Sequence, residues 1–102
     1  MSKYKVLVRS KAQKELRKIY SWYEDQKEDL GKEFLQEALQ TIDGLQVAIV
    51  EHRKFIKEVR VTEINRFPYH IFYIKNEEKK HISIIAVLGE KQDVVTQIHK
   101  RV

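Results

Sequence analysis

The stretch RFPYHIFYIKN, residues 66 to 76, sets a histidine and four aromatics between an arginine and a lysine. Imidazole titrates near neutral pH, so His70 is the residue here suited to proton transfer. Arg66 carries a fixed charge, and the Tyr69 hydroxyl must find water or a partner and can reach a phosphate. Cations recur before the stretch at Arg53, Lys54, Lys57 and Arg60, and after it at Lys91, Lys100 and Arg101. In an antiparallel sheet, Arg60, His70 and the residues near Lys91 can gather around one surface. Such a surface suits phosphates, with Tyr69 or Phe72 placed to stack on a base. A solvated sheet face with ordinary charge decoration fits the same spacing. Arg66 likewise has two readings, a phosphate contact or an ion pair with Glu63. Pro68, the only proline, has no N–H and belongs at a strand start or edge. Phe67, Ile71 and Tyr73 read as core.

Other chemistries find no support. The chain has no cysteine, which excludes disulfides, thiolate metal sites and a cysteine nucleophile. His52, His70, His81 and His99 are scattered without metal-ligand spacing, so neither a zinc site nor any other metal is expected. Glycine-rich phosphate loops, HExxH and GxSxG are absent, and no cofactor is expected. Lys and Arg number 20 against 15 Asp and Glu, a formal net charge of +5. That balance favours an anionic partner, nucleic acid or an acidic protein, but also fits a mixed surface.

The elements that must position these residues follow from periodicity. The 102 residues suffice for one domain spanning 1–102, and the 42% hydrophobic content can fill its core. No N-terminal apolar run of signal or membrane-span length occurs, so a cytoplasmic protein without membrane contact is expected. Residues 3–9 alternate with period two and read as a strand, after which the Ser10 hydroxyl can cap a helix. Ala12, Leu16, Ile19, Tyr20 and Tyr23 form one face of a helix from Lys11 to about Gln26. Leu30, Phe34, Leu35, Ala38, Leu39, Ile42 and Leu45 mark a second. Gly31 and Gly44 sit near its ends, where glycine costs least. The short connection predicts an antiparallel helical hairpin. Residues 46–56 fit either a helix extension or a loop. Residues 57–65 and 69–75 alternate as strands, with Asn76–Lys80 as a hairpin loop after them. His81–Leu88 is a near-continuous apolar run suited to a central strand. Gly89 ends it, and the tail forms a short helix or stays loose. The prediction is an α+β fold: an N-terminal strand, a two-helix antiparallel hairpin, then a three-stranded antiparallel meander. The helices pack on one face, and the first strand joins the sheet at one side.

The order and spacing of YKVLVRSKAQKELRKIYSWY, LGKEFLQEALQTIDGL, VRVTEINRFPYHIFY and IIAVLGEKQD resemble the RelE/ParE superfamily of type II toxins. The likeness covers nearly the whole chain, and the FPY form of the strand looks closer to the ParE-like branch. The resemblance implies the same α+β fold and a cognate antitoxin partner. It also implies growth arrest through translation or DNA gyrase. RelE-like members cut mRNA in the ribosomal A site, whereas ParE-like members inhibit gyrase without cutting RNA. Metal-free RNA cleavage needs a base for the 2′-OH, an acid for the leaving oxygen and cations for the developing charge. Under a ribosome-dependent mRNA endoribonuclease reading, His70 serves as acid or base and Arg60 and Lys91 as charge stabilisers. Lys57, Arg66 and Tyr69 then contact nucleic acid or another target. Active relatives often carry an arginine at the position of His70. They carry a histidine or tyrosine where Gly89 stands and an arginine where Gln92 stands, while Asp93 is kept. Three readings follow: a ribosome-dependent nuclease, a non-enzymatic gyrase inhibitor, or a degenerate antitoxin-binding protein without toxicity.

Overall fold

A computed structural model describes residues 4–47 and 52–102. The elements run β1 (Lys5–Val8), α1 (Ser10–Gln26), α2 (Leu30–Leu45), β2 (Lys54–Ile56), β3 (Val59–Glu63), β4 (Tyr69–Asn76), β5 (His81–Gly89) and α3 (Val94–His99). They form a five-stranded sheet in the order β1-β5-β4-β3-β2. β1 joins β5 in parallel, and the other neighbours are antiparallel. The α+β fold expected from periodicity is the one observed. No helix among the described residues is long and apolar enough to cross a membrane.

Two apolar layers sandwich the sheet. On one face Leu16 and Ile19 of α1 and Phe34 and Ile42 of α2 close on Ile71, Tyr73, Ile82, Ile84 and Val87. On the other, Val59, Val61, Phe72, Ile85 and Leu88 pack with Ile98 of α3. β5 is buried on both sides, which is why its sequence runs apolar without alternation. Ile85 has no partner in the β4–β5 register, where Phe72 faces Ala86 and Tyr73 faces Ile84. This bulge shifts the alternation of β5 by one residue.

Several local expectations are revised. The undecided region before β3 contributes β2, three residues paired to β3; that is too short for alternation to register. Residues 48–51, on which most of the choice between helix and loop fell, lie outside the described residues. The strand read over 57–65 begins at Val59, because Lys57 and Glu58 make the β2–β3 turn, with Lys57 at φ 50°. Ser10 does not cap α1: it is the first helical residue, Arg9 is the N-cap, and no side chain caps the end. Leu39, read as part of the α2 stripe, is exposed. The tail does form a helix, α3, and Asp93 caps it by accepting from the Thr96 N–H at 3.2 Å.

Gly31 has a tighter reason than its place near a helix end. A Cβ there would lie 2.5 Å from the Tyr20 carbonyl oxygen and 2.6 Å from Glu24 Cγ. The absence of a side chain lets α2 approach α1. Glu24 Oε1 then accepts from the Gly31 N–H at 2.9 Å and the Lys32 N–H at 3.3 Å. One helix thereby caps the other.

β1 ends at Val8, yet β5 continues to Gly89, so the later part of β5 loses its strand neighbour on that side. A side-chain pair takes its place. Glu15 Oε1 accepts from the Val87 N–H at 3.0 Å. Arg101 donates to both Glu15 carboxylate oxygens, at 2.8 and 2.7 Å, and to the Ile85 carbonyl at 3.1 Å. The two side chains are 19% and 9% exposed, Glu15 and Arg101 respectively.

Two stability outcomes follow. Alanine in place of glycine inside a helix ordinarily gains about 1 kcal/mol. Gly31→Ala should instead lose stability, by about 1–3 kcal/mol, because the clash is with backbone; urea unfolding with an unchanged m-value measures it. Arg101→Met should cost about 3 kcal/mol by leaving Glu15 unpaired. The double variant Glu15→Met/Arg101→Met should lose less than Arg101→Met alone, and a larger loss would show that the pair is not the cause.

Candidate functional site

Strand register decides which of the expected residues meet. Arg60 faces Tyr73, and Glu63 faces His70. The partner of His70 is thus three residues from Arg60, and because side chains alternate, an odd offset puts Arg60 and His70 on opposite faces. Arg60 lies on the side of the helical hairpin, where Nη1 donates to the His52 carbonyl at 2.7 Å. The His52 ring nitrogen Nδ1 and the Tyr73 hydroxyl share a hydrogen bond of 2.8 Å. His70 lies on the other side, with Nε2 3.6 Å from Glu63 Oε1 and its ring 6.3 Å from Phe72. The expected gathering of Arg60, His70 and Lys91 on one surface does not form. Phe72, considered for base stacking, is buried beneath that outer face.

Arg66 does not pair with Glu63. At φ 72° in the turn before β4, it reaches α2, 3.7 Å from a Glu33 oxygen and 4.0 Å from a Glu37 oxygen. Its guanidinium also sits 5.7 Å from the Phe67 ring centre. Lys57 is exposed in the β2–β3 turn. β3 runs from Val59 beside Ile74 to Glu63 beside His70, so Lys57 stands at the end of the sheet away from Tyr69.

Tyr69 and Lys91 are brought together. Tyr69 pairs with Gly89 across β4 and β5, and a Cβ on Gly89 would lie 3.1 Å from the Tyr69 ring. The ring packs on Phe34 and Tyr23, at 5.7 and 6.3 Å between centres. Burial, then the neighbouring Tyr69, holds the Tyr23 hydroxyl above its ordinary pKa. Trp22, Pro68, Tyr69, Gly89 and Lys91 line a cleft of about 320 Å³. On the α1 side, Trp22 and Tyr69 also wall a second cleft of about 340 Å³ with Glu15, Lys18, Val87 and Gln92. Trp22 is 56% exposed, its ring edge-on to Tyr23 at 5.1 Å. Reading the sequence for charge and proton transfer missed this residue. The signal was a tryptophan off the apolar stripe of α1, where an indole has no core to fill.

The residues after β5 are engaged in closing the strand. Gln92 Oε1 accepts from the Gly89 N–H at 2.7 Å, and the Gln92 N–H donates to the Gly89 carbonyl at 3.2 Å. Asp93 Oδ2 accepts from the Thr96 hydroxyl at 2.8 Å. That bond, with the Thr96 N–H, draws the Asp93 carboxyl below its ordinary pKa. The two clefts share the Trp22 and Tyr69 rings, with Tyr23 and the Lys91 ammonium in one and the Lys18 ammonium in the other. Such a set suits recognition of a partner surface. No group of three His, Cys, Asp or Glu residues able to hold a metal occurs among the described residues.

The fold has solved counterparts. The chromosomal ParDE system of P. aeruginosa superposes with a TM-score of 0.74 and 18% identity, over 84% of this chain and 95% of that one. A free-state mutant of the E. coli toxin RelE gives 0.62 and 16%, over 100% and 99%. The RelBE2 toxin–antitoxin complex of Mycobacterium tuberculosis gives 0.61 and 16%, over 90% and 97%. At such identities the likeness is one of fold. No curated protein sequence matches the chain. The family model for the ParE toxin of the type II toxin–antitoxin system parDE matches residues 6–94. A match of that extent, on a fold shared with the ParDE and RelE structures, makes the chain a member of the ParE toxin family.

Proposed function

We propose that this toxin arrests growth by binding DNA gyrase through the cleft around Trp22 and Tyr69, and that a cognate antitoxin neutralises it. Family membership and the ParDE and RelBE2 solved structures support the antitoxin. One observation carries the choice of a binding mode over RNA cleavage: position 89, beside Tyr69, is a glycine with no side chain to offer, and a Cβ there would already press on the Tyr69 ring at 3.1 Å. The nearby groups are also engaged. Gln92 closes the end of β5, while His70 and Arg60 work on opposite faces of the sheet. In this reading Trp22 is the anchor, with Tyr69 and Lys91 beside it as target contacts. A half-exposed indole next to packed rings is the kind of residue that dominates protein–protein affinity. Lys57 and Arg66 lie outside the cleft and have no part in it. mRNA cleavage would fall instead to His70, whose Nε2 lies 3.6 Å from Glu63 on the outer face.

Three experiments test this. Purified toxin should block supercoiling by gyrase in vitro, and Trp22→Ala should raise the concentration needed by at least about tenfold while melting at the wild-type temperature. Toeprinting on translating ribosomes should reveal no new mRNA ends. Cuts at the A site that vanish in His70→Ala would overturn the gyrase reading in favour of a nuclease. Co-expression with the product of the adjoining small gene should yield a stable complex that restores supercoiling.

A further inference from the structure

We propose that the groove between α1 and the C-terminal segment binds the phosphate backbone of a double-stranded nucleic acid. It is an open cavity of about 680 Å³, lined by Lys11, Lys14, Arg17 and Lys18 from α1 and by Gln97 and Arg101 from the end of the chain. It adjoins a smaller cavity of about 290 Å³ that shares Lys11 and Arg101 and adds Arg9 and Lys100. Among the described residues Glu15 is the one acid lining either cavity, and Arg101 engages both its oxygens. The four α1 cations are exposed and take part in no ion pair among the described residues.

The charge is arranged against the needs of the helix itself. A helix dipole favours acids in the first turn and bases in the last. α1 has no acid in its first turn and no base in its last. Residues 9–18 hold five cations against Glu15, whereas residues 24–37 hold six acids against Lys27 and Lys32. Helix stability does not call for this layout, but recognition of an anion does.

The kind of anion follows from what lines the groove. No aromatic side chain does so, and a single strand is ordinarily held by stacking its bases on rings. A protein partner ordinarily needs an apolar or aromatic anchor, and none is offered here. Lysines on a helix meet phosphates as point charges, without reading sequence. Lys11 and Lys18 are about 10 Å apart along the helix axis, roughly three base-pair steps of a duplex. The groove shares Glu15 and Lys18 with the cleft beside Trp22, but binding of a free duplex is read without the toxin's protein target and does not depend on its identity.

Fluorescence anisotropy of the full chain with labelled mixed-sequence duplexes of about 20 base pairs, DNA and RNA in separate arms, tests the proposal. Either duplex binding supports it, and the tighter one identifies the helix preferred. The log–log slope of affinity against salt between about 50 and 200 mM should be near −4, as about four cations releasing counterions require. Lys14→Gln/Lys18→Gln should weaken binding at least tenfold and reduce the slope by about two. Lys27→Gln/Lys79→Gln, which removes the same charge away from the groove, should bind as the parent does. Matching thermal melts would show that both variants fold. No binding at the lowest salt, equal losses in the two variants, or tighter binding of a single strand would overturn the proposal. So would a glutamate-rich peptide competing as well as the duplex, which would make the groove an acidic-protein site.

Discussion

The Glu15–Arg101 pair occupies the place where the sheet would otherwise be open. β1 is short, and beyond Val8 the chain turns into α1 while β5 runs on. The backbone groups of Ile85 and Val87 would then face a void on that side. A carboxylate from α1 and a guanidinium from the end of the chain supply the missing acceptor and donor. Removing two charges from water is costly, and the Arg101 Nε has no hydrogen-bond partner among the described residues. The bidentate contact, the bonds to backbone and the further bond to Gln97 offset that cost. The pair also sets where α1 crosses β5, and hence where Trp22 stands along the clefts it lines with Tyr69 and where the basic groove lies.

A second constraint is the parity of the sheet. Each residue along a strand changes face, so one position separates the core from solvent. Arg60 and His70 differ by an odd step in register and part company, though both lie on neighbouring strands within a basic stretch. The bulge at Ile85 does the opposite for β5, changing parity so that Ile82, Ile84 and Val87 all serve the hairpin side. A cluster of promising residue types in sequence is therefore not yet a site.

Periodicity made the two helices and the other long strands legible, because each buries one face, and an unbroken apolar run made the central position of β5 legible, because it is buried on both. It did not reveal β2, whose three residues leave no repeat. Nor did it reveal the partners of Arg66, which depend on a turn residue with positive φ that aims the side chain at α2. Of the proposed site, Tyr69 and Lys91 stand out in the sequence by their chemistry and line one cleft, whereas Trp22 carries no titratable group to mark it. Gly89 was noted as a departure at a catalytic position; the Tyr69 ring gives it a packing reason. Glu15 and Arg101 are 86 residues apart, and no local pattern announces such a partnership.

The helical hairpin carries its cations towards the start of α1 and most of its acids around the turn into α2. The hairpin therefore contributes a direction in an electric field as well as part of the net charge. Near any polyanion, torque turns the start of α1 inward before contact, so encounters are oriented and their rate falls as salt is added. Between two copies the same separation of charge produces a head-to-tail attraction at low ionic strength. The net charge of +5 works against it, and the balance between the two sets how concentrated the free toxin can become before its molecules begin to line up.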